Sequence, residues 1–371
     1  MRRLVLGILL VLPLLAGVLP ASAQDARYEI KDLIKAHDIG NEAAGLGAYD
    51  INDDGMIVGF TAQSATKSSP FYIVNGKTTR IKTGKFGATY GHVNADGVIV
   101  GRDVTGRDEN GGPIGLPAFW ADGKTTRLEL PLDPLGQTVV TGVAQEINDA
   151  GQIVGEVQYP GDDFNQYAVL WQDGVPTLLP DAFGYPVCSA WGLTASGLVA
   201  GSCWEPNLGM FLPVLWQSLV PISLDSQATA NTDVTAATDT AAGGYAVVGY
   251  QYDDVDNPSY LEATVIIDGV IQSLPGPAGY TACRAMTVSQ TEAGLLVGGS
   301  CAPDVATGQK SWAGSVAVAW LDGELIELND AIPQDQGWTL ILIRGVNGKG
   351  QMVGLGERKG ERRSFVLTPT E

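Results

Sequence analysis

One short phrase recurs seven times, and nothing else in the chain limits its fold so strongly. NDDGMIVG ends at Gly59, NADGVIVG at Gly101, NDAGQIVG at Gly155 and TASGLVAG at Gly201. Looser copies, AAGGYAVVG, TEAGLLVG and NGKGQMVG, end at Gly249, Gly298 and Gly354. The closing glycines stand 42, 54, 46, 48, 49 and 56 residues apart. A turn and a short apolar run repeating at such a period is the signature of a radial β array. The phrase specifies architecture and carries no chemistry.

One repeat reads as four strands. In the second, Tyr90–Asn94 precedes the turn Ala95-Asp96-Gly97, and Val98–Arg102 follows it. A long polar connection leads to Ala118–Ala121, then Asp122-Gly123, then Lys124–Leu130. Asp-Gly between two strand-like runs is a strong hairpin signal, because both central residues need positive φ. The pair recurs as Asn75-Gly76, Asp173-Gly174, Asp268-Gly269 and Asp322-Gly323, which makes these aspartates turn residues rather than catalytic ones. A large apolar residue stands three before each glycine: Ile73, Trp120, Trp171, Ile266 or Trp320. The fourth repeat keeps Trp216 but loses the glycine. The second strands (MIVGF, VIVGR, QIVGE and their kin) are continuous apolar runs, as expected of strands buried on both faces. Radially packed blades supply that environment to an antiparallel sheet.

The ends fix the count. The seventh repeat stops after its third strand, Ser364–Leu367, and an orphan segment, Tyr28–Leu33, precedes the first. The orphan in the place of the missing strand closes a ring without free edges. The expected fold is an all-β, seven-bladed propeller of four-stranded antiparallel blades over residues 24–371.

The AFW of Ala118–Trp120, after NADGVIVG and before a turn and a TRL strand, resembles the HAF-repeat proteins of bacterial export. Their repeats read approximately IN-x-x-G-x-I-V-G, then a His-Ala-Phe-like strand and a Leu-ended strand. The resemblance runs from about residue 45 to the end, although this chain replaces the histidine throughout. It implies an exported propeller-type repeat protein and brings no catalytic residues.

The first 23 residues read as a signal peptide: Arg2 and Arg3, an apolar run from Leu4 to Leu19, then Ala21-Ser22-Ala23 for cleavage. The run is short and broken by Pro13, which argues against a membrane anchor. Cleavage leaves 20 Lys+Arg against 41 Asp+Glu, a net charge of −21. That field repels nucleic acid and anionic membrane, and favours a cation, a neutral sugar or a basic protein. Cys188 and Cys203 flank the turn at Thr194–Gly197 symmetrically, and Cys283 and Cys301 flank that at Ser289–Gly294. Each pair is expected to form a disulfide across a hairpin, in a secreted or periplasmic protein. A monomer is expected.

Function is expected on the face from which the second-to-third and fourth-to-first connections emerge, since the other face carries only short turns. The aromatic and acidic candidates for a glycan or protein ligand are Tyr159, Asp162, Asp163, Trp204, Tyr252, Asp253, Asp254, Asp256 and Trp312. These side chains could equally seal the blade tops. Asp253, Asp254 and Asp256 could offer oxygens to calcium, but without the spaced glycine and terminal Glu of a calcium loop. Five residues before the turn glycine, the first three repeats carry Asp50, His92 and Glu146. If the first strands line a central channel, these meet at one height, where they could bind a metal or move a proton. Gly192 and Gly345 occupy the slot later, so it could also be a merely water-exposed position. No G-x-S-x-G, H-E-x-x-H or phosphate loop occurs, so a non-catalytic binding or scaffold protein is expected. A polysaccharide-cleaving lyase or glycoside hydrolase, which needs no local motif, and a purely structural envelope protein are the alternatives.

Overall fold

Turn chemistry divides the chain into blades. Asn75, Asp122, Asp173, Asp268 and Asp322 take φ of 48–52°, and the glycine after each takes 74–86°. Two successive left-handed residues match the twist of paired strands, so each turn reverses the chain in two residues. The computed structural model describes residues 26–35, 47–64, 67–107, 113–133, 135–161, 166–185, 187–225, 227, 230–255, 258–306 and 314–370. The expected signal peptide lies outside the described residues.

Seven four-stranded antiparallel sheets result. A first strand, β1 (Tyr28–Lys35), precedes blade one, which comprises β2 (Gly47–Ile51), β3 (Ile57–Ser64), β4 (Lys67–Val74) and β5 (Lys77–Arg80). Blade two is β6 (Ala88–Val93), β7 (Ile99–Arg107), β8 (Pro113–Ala121) and β9 (Lys124–Arg127). Blade three is β10 (Thr141–Ile147), β11 (Ile153–Gln158), β12 (Gln166–Gln172) and β13 (Val175–Leu178). Blade four is β14 (Cys188–Leu193), β15 (Val199–Glu205), β16 (Met210–Gln217) and β17 (Val220–Ser223). Blade five is β18 (Asn231–Asp239), β19 (Tyr245–Tyr252), β20 (Glu262–Ile267) and β21 (Val270–Ser273). Blade six is β22 (Ala282–Thr291), β23 (Gly294–Ala302), β24 (Val316–Leu321) and β25 (Glu324–Glu327). Blade seven takes β26 (Trp338–Val346), β27 (Met352–Arg358) and β28 (Glu361–Pro369), and is completed by β1.

The orphan therefore closes the ring as the sequence predicts. β1 pairs antiparallel with β28, Tyr28 opposite Pro369. Asp32 Oδ2 receives Arg363 Nη1 at 2.6 Å and Arg358 Nη1 at 3.2 Å, which ties the N-terminal strand to its neighbour β28 and, beyond it, to β27. One expectation changes: the polar connection of repeat two is largely strand, since β7 runs to Arg107 and β8 begins at Pro113.

First strands of neighbouring blades contact one another and form the inner ring, while fourth strands are largely exposed. The cores lie between blades. Val100 of blade two packs with Val157, Val169 and Trp171 of blade three. The tryptophans are wedges: Trp171, Trp216 and Trp320 are buried, and their indole N–H groups donate to Glu129, Pro180 and Pro275 carbonyls of the preceding blade. An indole N–H buried without such an acceptor would be costly.

The repeated phrase acquires a physical meaning residue by residue. Its asparagines clasp blade to blade on the turn face. Asn52 Nδ2 donates to Asn94 O (2.9 Å), Asn94 Nδ2 to Asn148 O (3.3 Å), and Asn148 Nδ2 to Thr194 O (3.0 Å). Across the closure, Asn347 Nδ2 donates to Asn52 O (3.0 Å). Each Oδ1 meanwhile accepts an N–H four residues on, from Met56, Val98, Gln152 or Gln351, shaping the turn. The closing glycine has its own reason. A Cβ at Gly59, Gly101, Gly155, Gly201, Gly249 or Gly354 would lie 1.9–2.1 Å from a carbonyl oxygen of the first strand. In blade six this role falls to Gly299, facing Arg284 O, one residue beyond the glycine that ends the phrase.

A β-bulge recurs in every first strand. Pairing slips between Ala48 and Asp50, Tyr90 and His92, Ala144 and Glu146, and Ala190 and Gly192. It slips likewise between Val234 and Ala236, Ala285 and Thr287, and Ile343 and Gly345. A bulge re-aims the side chains beside it, and here it does so seven times around one ring. Among the described residues no helix is long and apolar enough to cross a membrane.

Candidate functional site

The residue following each bulge forms a ring of Asp50, His92, Glu146, Gly192, Ala236, Thr287 and Gly345. Chemistry is confined to blades one to three. His92 Nδ1 lies 3.1 Å from Glu146 Oε2 and 4.0 Å from Asp50 Oδ2. Backbone amides fix both carboxylates: Asp50 accepts from Ile51 (2.8 Å) and Val93 (3.0 Å), and Glu146 Oε1 accepts from Ile147 (2.9 Å). Burial alone would lower the His92 pKa, but the Glu146 charge and hydrogen bond, with Asp50 behind them, raise it to about 9. Burial raises the Asp50 carboxyl to about 6 against the pull of His92. The imidazole keeps 30% of its surface accessible. Among the described residues this is the one group of three or more metal-ligating side chains whose donor atoms converge.

A second site lies where blades four, five and six meet, on the half of their first strands nearer the long connections. A hollow of about 460 Å³ opens there, lined by Trp191, Phe211, Asp233, Tyr250, Arg284 and Met286. Trp191 is the bulged residue of β14 and is 38% exposed, unusual for an indole. Arg284 lies over the Tyr250 ring, its Cζ 5.1 Å from the centroid. Asp233 receives the Tyr250 and Tyr252 hydroxyls, the latter at 3.2 Å. Burial pushes the Asp233 carboxyl above its usual range, and the two hydroxyls and Arg284 only partly counter it. Both tyrosine hydroxyls are raised in turn, by burial first and then by Asp233. The disulfides Cys188–Cys203 and Cys283–Cys301 join β14 to β15 and β22 to β23 and so brace two walls of the hollow. Both pairings are those the hairpin symmetry predicts.

The structure brings the Asp50, His92 and Glu146 slots together as the spacing implies, but among the described loop candidates it buries both tyrosines. Tyr159, expected as an exposed platform, is 1% exposed. Its hydroxyl donates to Pro131 O at 3.1 Å, and its ring meets Tyr167 edge-on. Tyr252 is likewise buried, at the end of β19, and its hydroxyl is spent on Asp233. Both are sealing residues: Tyr252 is the last residue of a second strand longer than the phrase suggests, and Tyr159 follows directly on β11. Trp204 is half-buried against Phe211. Asp253 turns both carboxylate oxygens to Ser259, and Asp254 is exposed. Asp162, Asp163, Asp256 and Trp312 lie outside the described residues, and with Asp256 goes any account of the calcium expectation. Reading the sequence missed Trp191, Asp233 and Arg284. The available signal was the lost hairpin glycine of repeat four and the looser phrase of repeats five and six.

No family model matches the chain, and no curated protein matches it. Similar solved structures are propellers at low identity. One is described as YCF48 bound to D1 peptide: 12% identity, 94% of this chain and 97% of that one covered, TM-score 0.50. Another is a fungal alcohol oxidase of the AA5 family in complex with copper: 10% identity, 93% and 76% covered, TM-score 0.50. The likeness is one of fold.

Proposed function

We propose that this is an exported, non-catalytic binding propeller, of the HAF-repeat kind, that takes a glycan in the hollow between blades four and six. One observation carries the reading: a cavity of about 460 Å³ is lined by the aromatic side chains Trp191 and Phe211 beside the polar set Asp233, Tyr250 and Arg284. A sugar ring offers a flat apolar face to an indole and a rim of hydroxyls to an acid and a guanidinium. Pockets of this size with a few convergent polar groups are the usual small-ligand sites of folded proteins. The two disulfides fit an extracellular or periplasmic home, and export through the N-terminal leader follows from the same reading. The net charge of −19 supports a neutral sugar over an anionic partner. YCF48 is described with a bound peptide, which makes a segment of a surface protein the alternative occupant.

A second reading, polysaccharide cleavage, draws on Asp233. A carboxyl raised by burial and facing tyrosine hydroxyls is suited to holding a proton for a leaving group. Incubating the mature monomer with a broad glycan and peptide panel, and recording retention and product formation together, separates these readings. Retention of a glycan without products supports the binding reading. New reducing or unsaturated ends would replace it with cleavage, and retention of peptides alone with protein recognition. Neither retention nor products would leave a structural envelope role.

A further inference from the structure

We infer that Asp50, His92 and Glu146 form a binding site for one divalent transition-metal ion in the wall of the central channel. The site is separate from the hollow of blades four to six and does not depend on what that hollow binds.

The donor atoms already stand as close as an ion needs. One nitrogen and two carboxylate oxygens lie within 4.8 Å of one another. Metal–ligand bonds of about 2.0–2.2 Å to imidazole and carboxylate bridge such a gap with small side-chain adjustments. Each ligand comes from a different blade, from the position just after the bulge, so three separate sheets hold it in place. The carboxylate oxygens turned away from the imidazole are anchored by Ile51 and Ile147 amides, the supporting contact that orients metal-binding carboxylates. Two carboxylates and a neutral imidazole balance a doubly charged ion. The His92 imidazole keeps 30% of its surface accessible, which leaves room for water to complete the coordination of a bound ion. An imidazole among the ligands favours zinc, copper, cobalt or nickel over calcium, magnesium or manganese, which prefer oxygen.

The competing arrangement is an imidazolium bridging two carboxylates, with a proton where the metal would sit. Titration calorimetry on the mature chain, without a polyhistidine tag and stripped with chelator, distinguishes them. Zn²⁺, Mn²⁺ and Ca²⁺ are the titrants, and Co²⁺ is added to read the visible absorption of an imidazole-ligated ion. The site predicts one equivalent of Zn²⁺ or Co²⁺ per chain, with Ca²⁺ much weaker. It further predicts a loss of at least ~10-fold in affinity in both H92A and E146Q. His37 is the chain's other histidine, and H37A keeps wild-type affinity. E146Q retains the shape of the cluster, and it gives the same reading if H92A fails to fold. Binding below one equivalent, or wild-type affinity in both H92A and E146Q, would overturn the assignment, as would loss of binding in H37A.

Discussion

Leu219 sits at φ 65°, where the equivalent residue of five other blades is glycine. A side chain in the left-handed region costs roughly 1–2 kcal/mol, and Leu219 is 42% exposed, so it returns little through packing. Replacing it by glycine is predicted to raise stability by about 0.5–1 kcal/mol after the added unfolded-chain entropy, read as a higher urea midpoint at unchanged slope. An unchanged or lower midpoint would mean that Leu219 packs better than its exposure suggests. Asp233 supplies a second residue-scale test. Its folded pKa is raised above the unfolded value, so the native chain holds the proton more tightly. Stability from this group is therefore present in acid and falls as pH climbs from the ordinary carboxylate value through the raised one. The difference in unfolding free energy between wild type and D233N should shrink or reverse across that window, and a pH-independent difference would contradict the burial argument. Hairpin chemistry of this kind was legible in the sequence, because Asp-Gly acts locally. The raised pKa of Asp233 was not, because the burial that raises it, and the Tyr250, Tyr252 and Arg284 contacts that partly offset it, come from other strands.

At the scale of the strand and turn, the phrase was recognisable as a repeat before its parts had reasons. Asn94 both shapes its own turn through Val98 and reaches across to Asn148 of the next blade. N94A is predicted to cost about 2 kcal/mol, one buried and one partly buried hydrogen bond at roughly 1 kcal/mol each, measured by chemical denaturation. A cost under a few tenths would mean that water replaces the clasp. The closing glycine is less forgiving, since a Cβ at Gly101 would lie 2.0 Å from Thr89 O and the strands would have to part. The disulfides were legible from hairpin symmetry alone, and each should contribute about 3 kcal/mol in the chain-entropy model. Removing Cys283 and Cys301 together as alanines tests this by melting temperature. Where the reading of elements failed, it failed at the ends of the second strands. Tyr159 and Tyr252 look like loop aromatics in sequence, but the chain around β11 and β19 folds them into the interior.

The whole molecule is a ring, and closure depends on eight residues at its start. Deleting β1 removes the partner of β28 and the acceptor of Arg358 and Arg363. The exposed edge is predicted to make the truncated chain self-associate, visible by light scattering, whereas a monodisperse truncation would show that closure is dispensable. Ring number and closure could be read from the sequence because the repeat imposes them. The hollow could not, since it arises only when Trp191, Phe211, Asp233 and Arg284, on four strands of three blades, come together. The central claim is that this hollow is where the protein binds. The most direct measurement is the affinity of wild type, W191A and D254N for the glycan that the wild-type chain retains. The account predicts that W191A loses at least ~10-fold while its melting temperature is kept, since truncating an aromatic anchor of a binding site typically costs about 2 kcal/mol or more. D254N, on an exposed loop, should bind as wild type. Equal retention by W191A and wild type, or loss only in D254N, would place recognition on the loops and contradict it.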